Sequence, residues 1–200
     1  MPELKYDLDQ DLKEAQAMAD VLDPYIYEDQ LYRRIGGGRV FSSSNMPYMT
    51  LGALLLRLRR LRILSDQLPA AGQNQLAEIE ARNADIQREW SVHYERKLVS
   101  EALSRLDAMR MFFDECDQNP QQCASAYLPE ALRRTIVEEV QIKMDELHIA
   151  SAEVKAKRAE IDHRLRGVVK PAEFIWAEAL KPAYSPDRFW WLYGKPQSGS

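Results

Sequence analysis

Apolar side chains return every three or four positions along most of this chain, and the polar residues fall between them. The period is that of an α-helix with one buried face, and alternation with a period of two is absent. Leu4, Leu8, Leu12, Ala15, Ala19 and Leu22 mark a first amphipathic helix, which Asp23-Pro24 closes. A second, shorter helix is expected from Pro24 to Ile35, where Gly36-Gly37-Gly38 ends it. Residues 36–45, rich in glycine and serine, form the clearest loop, because these residues lose too much backbone freedom to remain helical. A third helix, about Pro47 to Gln67, is apolar on most sides and should lie centrally.

After the breaker Leu68 to Gly72, neither proline nor glycine appears before Pro120. Within this gap Leu76, Ile79, Ile86, Trp90, Tyr94, Leu98, Ala102, Leu106, Met109 and Phe113 draw one drifting apolar stripe. It predicts a helix of roughly 45 residues, about 65 Å long. Beyond the Asn119 to Tyr127 connection a second stripe follows: Val137, Val140, Met144, Leu147, Ser151, Val154, Arg158, Ile161, Leu165 and Val168. Its spacing alternates strictly between three and four, the pattern of a heptad seam, with only Ser151 and Arg158 out of character. Two long helices joined by a short connection should lie antiparallel.

The expected fold is therefore all-α, a helical bundle built on a long antiparallel, coiled-coil-like hairpin. Residues 1–72 would supply N-terminal helices, 73–167 the hairpin, and 168–200 short C-terminal helices and a tail, folding as one cooperative domain. The last helices are expected over Pro171 to Leu180 and Pro186 to Tyr193, with Ser185 and Gly194 as caps. The N-terminal helices are too short to cover the whole hairpin, so its tip, Met109 to Ile136, either projects or is covered by a second copy. Ile136, Ile142 and Ile149 lie off the seam and favour the second copy, since a two-helix pair would leave them wet.

Composition narrows the partners. An apolar fraction of 46% suffices for a core, and a net charge of −4 disfavours broad affinity for nucleic acid or anionic membrane. The longest apolar run, Met46 to Leu56, is about half the length of a membrane span, so no span is expected. Two cysteines, Cys116 and Cys123, and no basic-then-apolar leader make a reducing cytoplasm the default expectation. A bridge between the cysteines is geometrically open but unusual in that compartment; Cys116 otherwise extends the apolar stripe as a thiol, and Cys123 is a loop thiol.

Charge is segregated: residues 1–23 carry net −5 and residues 24–64 net +5. Neutralisation of the third helix by the first is the plain explanation. A sharper one is an anion site, in which Tyr32, Arg33, Arg34 and Arg39 flank the triple-glycine loop and hold a phosphate or carboxylate. No strand and no Gly-Lys-Ser/Thr accompanies the glycines, so this is not a P-loop. Arg57, Arg59, Arg60 and Arg62 spread around a helix rather than forming one stripe, which makes nucleic-acid binding a weaker alternative. Glu160 and His163 have di-iron spacing in a single copy where two are needed, and His93 and His148 flank the seam, so no metal or cofactor is assigned.

No catalytic constellation emerges. The sequence points to a non-enzymatic interaction or assembly protein that self-associates and binds another protein through the hairpin. Ile136, Ile142, Ile149, Trp190 and Trp191 are its candidate contact residues. Trp190 and Trp191 belong to a C-terminal aromatic cluster that serves either as an anchor on the body or as a docking surface.

Overall fold

A computed structural model describes residues 5–36, 46–118 and 124–196, and it is all-α apart from one short two-stranded ribbon. Two compact units divide the chain, Asp7–Glu101 and the described residues from Ala102 onward with Tyr6, so the boundary falls inside one helix.

In the first unit the helices are α1 (Leu8–Asp20), α2 (Leu22–Tyr27), α3 (Leu51–Ile63), α4 (Ala70–Glu89) and the first part of α5 (Ser91–Gln118). Asp7 accepts the Gln10 amide at 2.9 Å and Thr50 the Ala53 amide at 3.1 Å, so both α1 and α3 start at side-chain caps. Leu12, Ala15, Met18 and Ala19 bury the inner face of α1, which packs on α3 and α4. Most of α3 is enclosed from Leu51 to Leu58, as its apolar circumference requires. The Glu101 carboxylate, fully buried, accepts the Gly52 amide at 2.8 Å, placing an anion at the positive end of α3.

Two expectations fail here. The second helix ends at Tyr27 instead of running to Ile35, because the carbonyls that follow turn toward a different donor. Lys97 on α5 donates to Glu28 O at 2.6 Å and Gln30 O at 2.7 Å, and Tyr25 donates to Leu31 O at 3.0 Å. The first long helix is interrupted at Trp90, although the Trp90 and Tyr94 amides keep their bonds to Ile86 and Trp90 carbonyls. Asn83, in register with the apolar stripe, reaches across the interruption and accepts from the Tyr94 hydroxyl at 3.1 Å.

The second unit holds the main departure. The stretch read as one returning arm is two helices, α6 (Tyr127–Glu146) and α7 (Ala152–Val168). Between them the chain reverses. His148 adopts φ 57, its amide binds Asp145 O at 3.1 Å, and the Ile149 amide binds Met144 O at 2.8 Å. These are the bonds of a Schellman cap with histidine in the left-handed position. Ser151 then caps α7 by accepting the Val154 amide at 3.3 Å.

The antiparallel pair is consequently α6 with α7, in register through Arg134–Asp162 and Glu138–Arg158. The end of α5 runs parallel to α7, held by Lys157 to Asp107 at 2.8 Å and by Arg164 to Asp114 and Asp117 at 2.7 Å each. Every residue from Arg134 to Val140 is buried, so the middle of α6 is enclosed on all sides. Met109, Phe113, Ala131 and Ile136 are buried by the chain itself, whereas Met111, Leu128 and Leu132, in the same stretch expected to form the tip, are exposed.

The C-terminal helices are also revised. Glu178–Ala183 and Trp190–Tyr193 are 3-10 turns, and Gly194 starts a strand rather than capping a helix. Strand β1 (Val169–Pro171) pairs antiparallel with β2 (Gly194–Pro196), with Lys170 opposite Lys195. The 22 residues they enclose are filled by a chain of edge-on aromatic contacts, Trp176–Tyr184, Tyr184–Phe189 and Phe189–Trp191, with centroids 5.0 to 5.6 Å apart. Cys116 continues the apolar stripe at 5% exposure but is disulfide-bonded, not a thiol; Cys123 lies outside the described residues.

Candidate functional site

The reversal between α6 and α7 leaves a groove. Its floor is apolar, with Met144 buried and Ile149 half-buried, and Ala150 and Ala152 continue it. Gln141 and Asp145 stand on the α6 side, where the Gln141 amide donates to the Asp145 carboxylate at 2.7 Å. Lys155 and Arg158 stand one turn apart on the α7 side. The cavity measures about 460 Å³, within the range of ligand and side-chain pockets. Arg158 leans toward Glu138 at 3.7 Å, whereas Lys155 makes no ion pair among the described residues.

Next to the groove, the α6–α7 pair is fixed by a buried charge network. Arg134, 2% exposed, meets both oxygens of Asp162 at 2.7 and 2.9 Å and Glu138 at 3.0 Å, and its guanidinium lies 4.1 Å over the Trp191 ring. Glu138 accepts a further bond from Arg188 at 2.9 Å. Burial pushes the Glu138 carboxyl up, but Arg134, Arg188 and Arg158 outweigh it and hold the group below its ordinary value. Trp191 donates to Thr135 at 2.9 Å and its carbonyl accepts from Tyr127 at 2.7 Å, so burial raises the Tyr127 phenol far above the usual range. Glu130 is the exception. One of its oxygens pairs with Arg133 and the other has no partner, and burial raises its pKa against the pull of Arg133.

The predicted contact residues therefore part company. Ile142 and Ile149 remain half-exposed, and Ile149 lines the groove. Ile136, 5% exposed, and Trp191, 1% exposed, are buried by their own chain and are not free surface. Trp190 is half-buried under Arg166, whose guanidinium lies 4.1 Å from its ring. Among the C-terminal aromatics, Tyr184, Phe189 and Trp191 are buried and Trp190 is half-buried.

Of the candidate anion site, Tyr32, Arg33 and Arg34 lie within the described residues, each with contacts inside the chain. Arg33 pairs with Glu28 and bridges the backbone of Met49, Arg34 turns to the Tyr48 hydroxyl at 3.3 Å, and Tyr32 is half-buried with its own contacts. Arg39 lies outside the described residues. In the arginine-rich helix, Arg57 meets Glu14 at 2.5 Å, Arg60 meets Asp11 at 3.5 Å and Arg62 meets Glu80 at 2.6 Å. The acidic first helix neutralises the third, as the charge segregation suggests. His93 packs on Tyr27 and Trp90, and no group of three potential metal ligands occurs among the described residues. No described helix is long and apolar enough to cross a membrane.

Sequence reasoning passed over the Arg134 network because Arg134 and Glu138 look like an ordinary exposed i, i+4 pair. A signal was present: Arg134 and Glu138 share a helical face with the small residues Ala131 and Thr135. No family model, curated protein or solved structure matches this chain.

Proposed function

We propose that this chain is a non-enzymatic interaction or assembly protein that presents its α6–α7 hairpin to a second copy of itself and to another protein. The observation behind this reading is the apolar surface at the closed end of the hairpin, where Ile142 and Ile149 are half-buried and Ala150 and Ala152 are exposed. The elements around it are rigid, since the buried Arg134 network and two helix caps fix their register. A binding surface benefits from such support because less freedom is lost on association.

Light scattering and sedimentation from low to high micromolar protein test the self-association. The expected result is a monomer–dimer equilibrium that Ile142→Glu shifts to monomer with little change in thermal stability. A monodisperse monomer throughout that range overturns self-association. Capture from native cells tests the second partner: wild type should retain a protein that Ile142→Glu loses.

A further inference from the structure

Between the end of α2 at Tyr27 and the bridge that joins Arg33 to Met49, the chain runs without helical pairing against α5, where one buried side chain holds it. We propose that residues 28–32 are a strap that opens locally over α5, with the Lys97 ammonium as its latch.

Carbonyl groups that leave a helix must find donors elsewhere, and here the donors are side chains. Lys97, 7% exposed, donates to Glu28 O at 2.6 Å and Gln30 O at 2.7 Å, and its nitrogen lies 4.2 Å from the centroid of the Tyr25 ring. The Tyr25 hydroxyl holds Leu31 O at 3.0 Å. Both ends of the segment are anchored independently of the latch. Buried Tyr25 and Ile26 root α2 in the core, and Arg33 and Met49 exchange backbone bonds at 3.1 and 2.7 Å. Little apolar surface opposes opening in between, since Glu28, Asp29 and Gln30 are exposed and Leu31 and Tyr32 are half-buried.

Keeping a charge out of water is costly: burial draws the Lys97 amine below its ordinary range although Glu28 and Asp29 act the other way. The closed strap sets its carbonyl bonds against that dehydration, whereas an open strap returns amine and carbonyls alike to water. Opening on such a balance costs well below the unfolding of the helices beneath. Closed, the cleft between strap and α5 measures about 80 Å³, room for a few waters, with Ile26, Leu31, His93 and Ser100 in its lining. Open, it loses the wall that Glu28, Asp29 and Leu31 form, and Lys97 is uncovered.

Acetylation of the full chain by acetic anhydride, followed residue by residue with mass spectrometry, tests the strap, with exposed Lys13 as the internal reference. Lys97 should react about tenfold to a hundredfold more slowly than Lys13, at a rate independent of urea below the unfolding transition. Tyr25→Phe keeps the ring and removes the bond to Leu31 O, so it should speed Lys97 about fivefold and leave Lys13 unchanged. Reaction of Lys97 as fast as that of Lys13 would mean that nothing latches it. A lag of more than about a thousandfold that shortens with urea in step with global unfolding would mean that Lys97 is reached only when the helices come apart. Either result, or a Lys97 rate indifferent to Tyr25→Phe, overturns the proposal.

Discussion

Replacing His148 by glycine should stabilise this protein, and the sign of the effect reports on the turn between α6 and α7. His148 sits at φ 57, where the Cβ of an L-residue crowds the backbone at a cost of about 1–2 kcal/mol. Glycine removes that cost but loses about 0.5–1 kcal/mol in the greater freedom of its unfolded chain. The net gain is about 0.5–1 kcal/mol, a rise in melting temperature of about 2–3 °C for a chain of this size. The side chain is exposed, so little packing is lost. In an uninterrupted helix, the arrangement that periodicity suggests, the same change would cost about 0.3–0.5 kcal/mol. Urea unfolding at unchanged slope separates the two outcomes. His148→Ala serves as the control because it removes the imidazole and keeps the Cβ. Loss of stability on His148→Gly, or an equal gain on His148→Ala, refutes the account of the turn.

Arg134→Ala should cost about 3–5 kcal/mol, because it removes the buried counter-charge that Glu138 and Asp162 share and uncovers Trp191; calorimetry should show a much lower melting temperature, and an unchanged one would mean the network is incidental. Glu130→Gln should stabilise by about 1 kcal/mol at pH 7, since it removes a buried charge with an unpartnered oxygen. Because the folded pKa of Glu130 lies above the unfolded one, its contribution favours the fold below the unfolded value and is lost as pH rises through the folded value. The advantage of the glutamine variant should therefore shrink toward zero below about pH 4, and an advantage independent of pH would contradict the argument. Gly194→Ala should destabilise the C-terminal ribbon by about 1–3 kcal/mol, because the new Cβ would strike Val169 Cγ1 and come within 2.9 Å of Lys170 O; earlier proteolysis of residues 172–193 is the expected readout, and an unaltered digestion pattern would argue against it.

Local signals placed most of the helices. The run of leucines from Leu51 to Leu61 marks an enclosed helix, and opposite charge blocks meet as Arg57–Glu14 and Arg60–Asp11. Even the unexpected reversal had a trace in the sequence, since Ser151 was the misfit in an otherwise apolar seam. Spacing of three and four nevertheless continued through it, because the residues used by the left-handed turn and the new cap, Leu147 to Ser151, take up about as many positions as one helical turn. Periodicity records which side chains are buried and is silent about the direction in which the next helix sets off.

The amino-acid sequence by itself determined that this chain is helical and that its charge blocks neutralise one another, because each depends on residues a few positions apart or on composition. Tertiary structure alone decided which faces are covered. Ile136 and Trp191 are enclosed while Ile142 and Ile149 stay half-exposed, although all four are apolar side chains of similar promise in the sequence. It also decided that Arg134 belongs in the interior, where Asp162 and Trp191 arrive from distant positions to join Glu138 around it. A charge is stable out of water only when its partners are brought to it, and that meeting depends on long-range packing that no local pattern encodes.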